Sequence, residues 1–230
     1  MTTRKIEIAG HQYTVLEQED VYDSVTGHPL TGSWLWNSSL VLSDWLVTEA
    51  HLHLFPLNGK NVIELGAGSA GLPGLTAARL GASRVFLTDV APILPGLRRN
   101  VEANGAGEQV EVRELAWGSE ESARGIGEEF DVVLMSDVFF GAEEARELGK
   151  TLRGLCGERT RVWAASEVRD WTGFWLEELG REGFGAVELA FRLGGPGYEG
   201  ELVGEGSFVV YEILRMAQNE VAQRSWLESS

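Results

Sequence analysis

From residue 60 onward, short apolar runs alternate with segments of helical periodicity, and this alternation constrains the fold more than any other feature. Strands that alternate with helices form a parallel sheet with helices on both faces. Strands are predicted over 61–65, 84–88, 109–115, 130–136 and 161–165. Helices are predicted up to residue 80 and over about 91–104, 142–155 and 171–182.

The last two apolar runs, 186–193 and 207–214, are joined by a Gly-rich connection with no helix between them. Parallel neighbours need a long crossover, so the final strand is predicted to be antiparallel. The chain therefore predicts an α/β fold, with a Rossmann-like doubly wound sheet of seven strands and an antiparallel last strand.

The N-terminal part has a different pattern. Residues 4–8 and 12–17 alternate around Ala9-Gly10-His11, which predicts a β-hairpin, and a helix is predicted over 38–53. We interpret 1–55 as a hairpin and cap helix belonging to the same domain as 56–217, the cofactor-binding part. The polar residues 218–230 are expected to be a flexible tail.

Composition narrows the class of partner. The net charge of −16 disfavours nucleic acid and favours a basic protein substrate, although an acidic surface also serves solubility alone. No run approaches the length of a membrane span, and no apolar secretory signal opens the sequence. With its single cysteine, Cys156, the chain is expected in the cytoplasm, with the nucleus as an alternative. The sequence does not indicate an oligomeric state.

A glycine-rich turn follows the first strand of the alternating region, in Glu64-Leu65-Gly66-Ala67-Gly68. With Gly71 it matches a dinucleotide fingerprint, and Asp89 ends the next strand, where an acid can bind ribose hydroxyls. An adenosine cofactor is predicted, but this pattern does not choose between NAD and S-adenosyl-L-methionine (AdoMet).

Three features favour AdoMet. Glu64 precedes the glycines, where a carboxylate suits the cationic methionine end of AdoMet better than a pyrophosphate. The chain has no separate substrate domain and no Tyr-x-x-x-Lys pair for hydride transfer. Its terminal strand pair also differs from the two-half dinucleotide fold.

Four blocks resemble the seven-strand methyltransferases of methyltransferase family 16, most of whose characterised members methylate lysines in other proteins. The resemblance covers about residues 30–215, and the blocks are Gly32-Ser-Trp-Leu-Trp36-Asn-Ser-Ser-Leu-Val-Leu, Val62-Ile-Glu-Leu-Gly-Ala-Gly, Ala116-Trp117-Gly118 and Ser136-Asp137-Val138-Phe139-Phe140. The second block is shared by many methyltransferases, and the other three are more specific.

The resemblance implies a role for each matching position. Trp36 borders the cofactor, Trp117 lies beside the adenine, Asp89 binds the ribose and Asp137 lies next to the target amine. Arg169 stands where relatives often carry an arginine. The cofactor site is thus predicted to contain Trp36, Glu64, Gly66, Ala67, Gly68, Asp89, Trp117 and Ser136.

Two departures from the family pattern stand out. Phe140 replaces the tyrosine of the Asp-x-x-Tyr motif, which places the chain nearest an Asp-Val-Phe-Phe subset and leaves lysine open as the target. The glycine turn is one residue longer than usual, so the roles of Ser69 and Ala70 are undetermined.

For the acceptor side, the predicted catalytic residues are Asp137, Phe140 and Tyr198. Asp137 with an aromatic wall of Phe139 or Phe140 would orient a cationic side chain, and Glu167 would join Asp137 if the substrate were arginine. The acidic connection 194–206, which contains Tyr198, is expected to engage the basic substrate.

Simpler interpretations also exist. Trp36 could be core packing, and Asp137 could cap the following helix. No metal site is predicted, because His51 and His53 are two residues apart on a helix and point to different faces.

The favoured function is AdoMet-dependent methyl transfer to a side-chain nitrogen of a protein, with lysine favoured. Arginine or small-molecule N-methylation is the nearest alternative. An NAD-linked oxidoreductase and a catalytically weak AdoMet-binding scaffold are the others.

Overall fold

The computed structural model describes residues 2–17, 21–22, 24, 27–51, 55–127, 129–193 and 206–216. The strands are β1 (Thr2–Ile8), β2 (His11–Glu17), β3 (Asn61–Leu65), β4 (Arg84–Asp89), β5 (Val110–Glu114), β6 (Val132–Ser136), β7 (Arg161–Glu167), β8 (Phe184–Leu193) and β9 (Ser207–Arg215). The helices are α1 (Asn37–His51), α2 (Leu72–Arg79), α3 (Leu94–Ala103), α4 (Glu120–Arg124), α5 (Ala142–Leu155) and α6 (Thr172–Arg181), with a short 3₁₀ turn at Thr31–Ser33.

The main sheet has seven strands in the order β5-β4-β3-β6-β7-β9-β8. Strand β9 lies between β7 and β8 and is antiparallel to both, while β3 to β7 are parallel to one another. The predicted fold class, including the antiparallel last strand, is confirmed. The order reverses at β3, so the carboxyl ends of β3, β4 and β6 surround a topological switch point, where ligands bind in such sheets.

Several element bounds differ from the sequence prediction, three of them by a new element or a shifted helix start or strand end. Helix α4 is not predicted, because its five residues are too few for a periodic pattern; the Ser119 hydroxyl caps it by accepting the Ser122 N–H. Helix α3 begins at Leu94 rather than near 91, with a proline in its first turn. Strand β7 continues to Glu167 rather than ending at 165, since Phe208 of β9 pairs with Glu167.

The core has two layers, one on each face of the sheet. The hairpin and helices α1 to α3 cover one face, and helices α4 to α6 cover the other. Successive residues of β3 alternate between these layers, with Val62 in the first and Ile63 in the second. Because both faces are buried, the strands appear in the sequence as continuous apolar runs.

The N-terminal hairpin is attached to α3 through two asparagine side chains. Asn100 accepts from Leu16 N (2.7 Å) and donates to Leu16 O (3.0 Å), and Asn104 does the same with Thr14 (3.0 and 2.8 Å). Each amide therefore satisfies one donor and one acceptor of β2, as a neighbouring strand would. Asn100 also donates to Ser69 O (2.7 Å), which connects the hairpin to the glycine turn.

Cys156 lies in the core at the end of α5, and burial raises the pKa of its thiol to about 12. A thiol that stays protonated is a poor nucleophile, so Cys156 acts as a core residue. None of the helices described is long and apolar enough to cross a membrane.

Candidate active site

A cavity of about 1070 Å³ opens at the carboxyl ends of the parallel strands. Its walls come from residues that follow β3 to β7 and from the segment just before α1. The lining includes Trp34, Trp36, Gly66, Ala67, Gly68, Asp89, Trp117, Ser136, Asp137, Phe140, Glu167 and Arg169. The structure thus brings together nine of the ten predicted site residues that it describes, all except Glu64.

The glycine turn is held against the N-terminal segment. Gly68 has a φ of 61°, and a Cβ there would lie 2.8 Å from Gly32 O, so only glycine fits. Ser69 donates its N–H to Gly32 O (2.6 Å) and its hydroxyl to Ser33 O (2.8 Å). The extra residue of this turn is therefore structural, because Ser69 is fully occupied in joining two walls of the cavity, while Ala70 lines it.

Gly66 lies between the turn and the aromatic wall. With a φ of 64°, its absent Cβ would meet the Trp117 ring at 3.0 Å and a Val138 methyl at 3.2 Å. The open backbone at Gly66 and Gly68 lets a ligand approach the main chain closely, while Trp117 offers a flat apolar surface.

Asp89 stands at the end of β4 and organises the turn. Its Oδ2 accepts from Gly68 N (2.8 Å) and its Oδ1 from Val90 N (2.7 Å). Burial raises the pKa of this carboxyl, while those two hydrogen bonds act in the opposite direction. Each oxygen retains a lone pair, so the carboxylate can also accept hydroxyl donors from a ligand.

Glu64 is placed elsewhere than the sequence predicts. Its carboxyl group is fully buried between β3 and α2, where Oε2 accepts from Gly74 N (2.7 Å) and Oε1 has no hydrogen-bond partner. Burial raises its pKa to about 8, against the Gly74 hydrogen bond, with a smaller raising effect from Asp89. The structure therefore puts a largely protonated Glu64 beside the glycine turn, outside the cavity wall.

Aromatic side chains form the mouth of the cavity. Trp34, Trp36 and Phe140 are 43%, 38% and 54% exposed, and the Phe140 ring is tilted against Trp117 with 6.0 Å between centroids. Such exposure of large apolar rings in one place is typical of a binding site. The interpretation of Trp36 as core packing is therefore wrong. Sequence reasoning missed Trp34, although it lies two residues from Trp36.

Phe139 does not belong to this aromatic wall. Its side chain is fully buried in the core beneath α5, whereas the adjacent Phe140 faces the cavity. Of the two residues proposed for the wall, Phe140 alone can contact a substrate.

Asp137 follows β6 in a left-handed conformation with a φ of 54°, which is rare for a residue with a side chain. Its side chain is only 6% exposed; Oδ2 accepts from Arg169, while Oδ1 is buried with no hydrogen-bond partner. The next helix begins at Ala142 with Gly141 as its N-cap, so the interpretation of Asp137 as a helix cap is wrong. A strained backbone and an unpaired buried oxygen together indicate a functional position.

Arg169 joins two of the acids that line the cavity, Asp137 and Glu167. Its Nη2 donates to Asp137 Oδ2 (2.8 Å) and Glu167 Oε2 (3.0 Å), and its Nε donates to Glu167 Oε2 (3.2 Å). Burial acts to lower the pKa of Arg169, but the hydrogen bonds and charges of the two acids outweigh it and raise that pKa. The guanidinium also lies 5.8 Å from the centre of the Trp36 ring.

The predicted catalytic Tyr198 and the acidic connection around it lie outside the described residues. Both strand ends that flank the connection are described: Leu193 pairs with Ser207, whose carbonyl accepts from Val168 N (2.8 Å). The connection therefore leaves and re-enters the sheet next to Glu167, on the ligand side. Among the described residues, no group of three or more His, Cys, Asp or Glu side chains could hold a metal ion.

Comparison with known families agrees with this geometry. The family model described as lysine methyltransferase matches residues 18–177. The chain belongs to the lysine methyltransferase family. The matched range includes the glycine turn, Asp89, Trp117 and Asp137, as well as Arg169.

The similar proteins of known name are also protein lysine methyltransferases. The chain is 35% identical over 162 residues to the mouse protein-lysine methyltransferase METTL21E, covering 68% of this chain and 61% of that one. It is 36% identical over 138 residues to the mouse protein N-lysine methyltransferase METTL21A, covering 59% and 60%. Similarity to the protein N-terminal and lysine N-methyltransferase EFM7 of Cryptococcus neoformans is 35% over 137 residues, covering 56% and 44%. This family member thus spans about half to three fifths of the length of these relatives.

Solved structures share the fold at low sequence identity. SMU.776, a methyltransferase crystallised with SAH, superposes with a TM-score of 0.61 at 15% identity, covering 91% of this chain and 56% of that one. The ribosomal protein L11 methylase of Lactobacillus delbrueckii subsp. bulgaricus superposes with a TM-score of 0.55 at 16% identity, covering 80% and 81%.

Proposed function

We propose that this protein is an AdoMet-dependent methyltransferase that modifies an amine of another protein, with the lysine side chain as the acceptor. One observation supports this most directly: Asp137, whose Oδ1 is buried without a hydrogen-bond partner, lines the same cavity as the glycine turn and Asp89. An acceptor for an ammonium group and an adenosine-type site thus share one enclosed space.

The cofactor side of the cavity fits AdoMet. Gly66 and Gly68 expose main chain that a Cβ would block, Asp89 offers carboxylate oxygens to ribose hydroxyls, and Trp117 offers a face to an adenine ring. When bound, AdoMet supplies an electrophilic methyl group on a cationic sulfur. Because the Glu64 carboxyl lies outside the cavity, the ribose and adenine contacts are proposed to hold the cofactor.

The acceptor side fits a cationic amine. Asp137 Oδ1 can accept one N–H from an ammonium group and so fix the direction of its nitrogen. Phe140 and Trp117 present ring faces that attract a cation and exclude water from one side of it. A free lysine has a pKa of about 10.4, so the amine must lose a proton before its lone pair can react. We propose that this proton leaves to water at the mouth of the cavity, on the side of the nitrogen that faces away from the two rings.

The protein substrate is inferred from charge and from relatives. The chain carries a net charge of −16, which favours encounter with a basic segment. The names of the three relatives specify protein lysine methylation, and one also specifies the protein N-terminus, which is likewise a single ammonium group. An NAD-linked oxidoreductase is not favoured, because the family assignment and the terminal strand pair both point to methyl transfer.

The test is methyl transfer from radiolabelled AdoMet to proteins of a cell lysate. Wild type is expected to label one or a few proteins, and Asp137→Asn is expected to lower the rate at least about tenfold, because a charged acceptor loses its ammonium partner. Glu177→Gln is the control, since it removes one negative charge from an exposed position on α6. Equal labelling by wild type and Asp137→Asn would contradict the assignment of Asp137. Binding of AdoMet with no transfer at all would favour the scaffold interpretation.

A further inference from the structure

The acids of the acceptor site already hold a guanidinium group, that of Arg169. It contacts one oxygen of each acid, Asp137 Oδ2 at 2.8 Å and Glu167 Oε2 at 3.0 Å. Together, these two carboxylates could form paired hydrogen bonds with an arginine substrate. The chain therefore fills from within one position that suits a second guanidinium.

The remaining oxygens differ from each other. Glu167 Oε1 lies beside Gly206 at the start of β9, where a Cβ on that glycine would come within 2.9 Å of it. Asp137 Oδ1 is buried and has no hydrogen-bond partner. Asp137 thus offers one oxygen to a substrate, since its other oxygen is taken by Arg169.

The single unpaired oxygen of Asp137 suits a lysine ammonium better than an arginine guanidinium. An ammonium is a compact charge with independent donors and can use a single acceptor well, whereas a guanidinium is a planar fork that gains most from two oxygens of one carboxylate. Resting on the proposed function, we propose that Arg169 determines specificity by occupying Asp137 Oδ2 and Glu167 Oε2, so that the site accepts an ammonium and rejects a guanidinium.

The charges of the cluster agree with this role. Asp137 and Glu167 carry two negative charges and Arg169 one positive charge, so these three residues together retain one negative charge, and Glu143, Glu144 and Glu147 add further negative charge to the cavity lining. The Trp36 ring lies 5.8 Å from the Arg169 guanidinium, and cation–π attraction helps to hold the side chain over the two acids. Removal of Arg169 would release both acids and the Trp36 face together, which is the environment that a guanidinium prefers.

The experiment compares two small probes as inhibitors of methyl transfer to lysate proteins. n-Butylamine reproduces the end of a lysine side chain, and n-butylguanidine reproduces that of arginine. Wild type, Arg169→Met and Arg161→Met are tested with labelled AdoMet. Arg161 is the matched control, because it begins β7, the strand that Arg169 follows, and pairs with a glutamate, Glu212, outside the cavity.

For wild type and Arg161→Met, butylamine is expected to inhibit at a concentration at least about tenfold lower than butylguanidine. For Arg169→Met, the ratio of the inhibitory concentration of butylguanidine to that of butylamine is expected to approach one or to fall below one, even where the overall rate falls. An unchanged ratio in Arg169→Met would overturn the proposal, since a residue that only supports the backbone would alter rates without altering discrimination.

The wild-type arm is independent of whether Arg169→Met folds. Equal inhibition of the wild-type enzyme by the two probes would also overturn the proposal and leave methyl transfer intact. Failure of the proposed function has a different signature, namely no labelled protein in any wild-type reaction.

Discussion

The substitution Glu64→Gln should change how stability depends on pH. Glu64 has an ordinary pKa of 4.5 and a folded-state pKa of about 8, because its carboxyl is buried between β3 and α2. Between these two values the folded protein holds a proton that the unfolded chain has released. The free energy of unfolding of the wild type therefore falls as pH rises through this window, by up to about 1.4 kcal/mol per pH unit. Below the ordinary pKa, this contribution is fully present.

Glutamine removes this dependence and keeps the packing. Its side-chain oxygen can still accept from Gly74 N, which now contacts Glu64 Oε2 at 2.7 Å. Over the whole window the wild type loses about 5 kcal/mol that the variant retains, as an order of magnitude. Glu64→Gln should thus match the wild type near pH 5 and exceed it in stability near pH 8.

The assay is urea denaturation of both proteins, without ligand, at several pH values between 5 and 8. Glu102→Gln, on the exposed side of α3, is the control and should follow the wild type throughout. Parallel stability curves for wild type and Glu64→Gln would refute the reasoning. Calorimetry with AdoMet at pH 7 adds a second readout. A carboxyl outside the cavity predicts an affinity change well below about tenfold, whereas a direct contact with the methionine ammonium predicts a larger loss.

Three further substitutions test other parts of the site. Gly68→Ala should cost about 1–2 kcal/mol of stability, since its φ is 61° and the new Cβ would lie 2.8 Å from Gly32 O; the open position Gly107 provides the matched alanine control in the same thermal unfolding assay. Asp89→Asn should destabilise the fold by about 1–3 kcal/mol, because one amide N–H then faces a backbone N–H, and should weaken AdoMet binding measured by calorimetry. Phe140→Ala should leave the melting temperature nearly unchanged, since this side chain is 54% exposed, but should reduce kcat/KM for the protein substrate about two- to fivefold through the lost cation–π contact. A clearly lower melting temperature for Phe140→Ala, together with the loss of activity, would contradict the placement of Phe140 at the mouth.

Much of the fold follows from the residue pattern. The alternation after residue 60 predicts the parallel strands, and the helix-free link before β9 predicts its antiparallel direction, because a parallel crossover needs more chain. Residues at the carboxyl ends of parallel strands converge at one edge of the sheet. For this reason the sequence alone is enough to place Asp89, Trp117 and Asp137 in one site.

The direction of Glu64 cannot be obtained in that way. Strand β3 is buried on both faces, so its sequence has no polar side to show which residues point toward α2. In the sequence, a carboxylate next to the glycine turn is therefore interpreted as a ligand contact. Its actual partner is the backbone N–H of Gly74, ten positions along the chain, and the local pattern does not indicate that contact.

The pairing of Asp137 with Arg169 is also beyond the sequence pattern. The sequence indicates each of the two residues separately, but their contact depends on the left-handed backbone at Asp137 and on the extension of β7 to Glu167. The first is a conformation that aspartate adopts more often than most residues but that its sequence neighbours do not specify, and the second is imposed by pairing with β9.

The most direct test of the central claim is the chemical position of the transferred methyl group. Tandem mass spectrometry of proteins labelled by the wild-type enzyme should find it on lysine ε-nitrogens, and the same sites should be unmodified or weakly modified after incubation with Asp137→Asn. Methyl groups on arginine guanidinium nitrogens, or only on small molecules, would contradict the account.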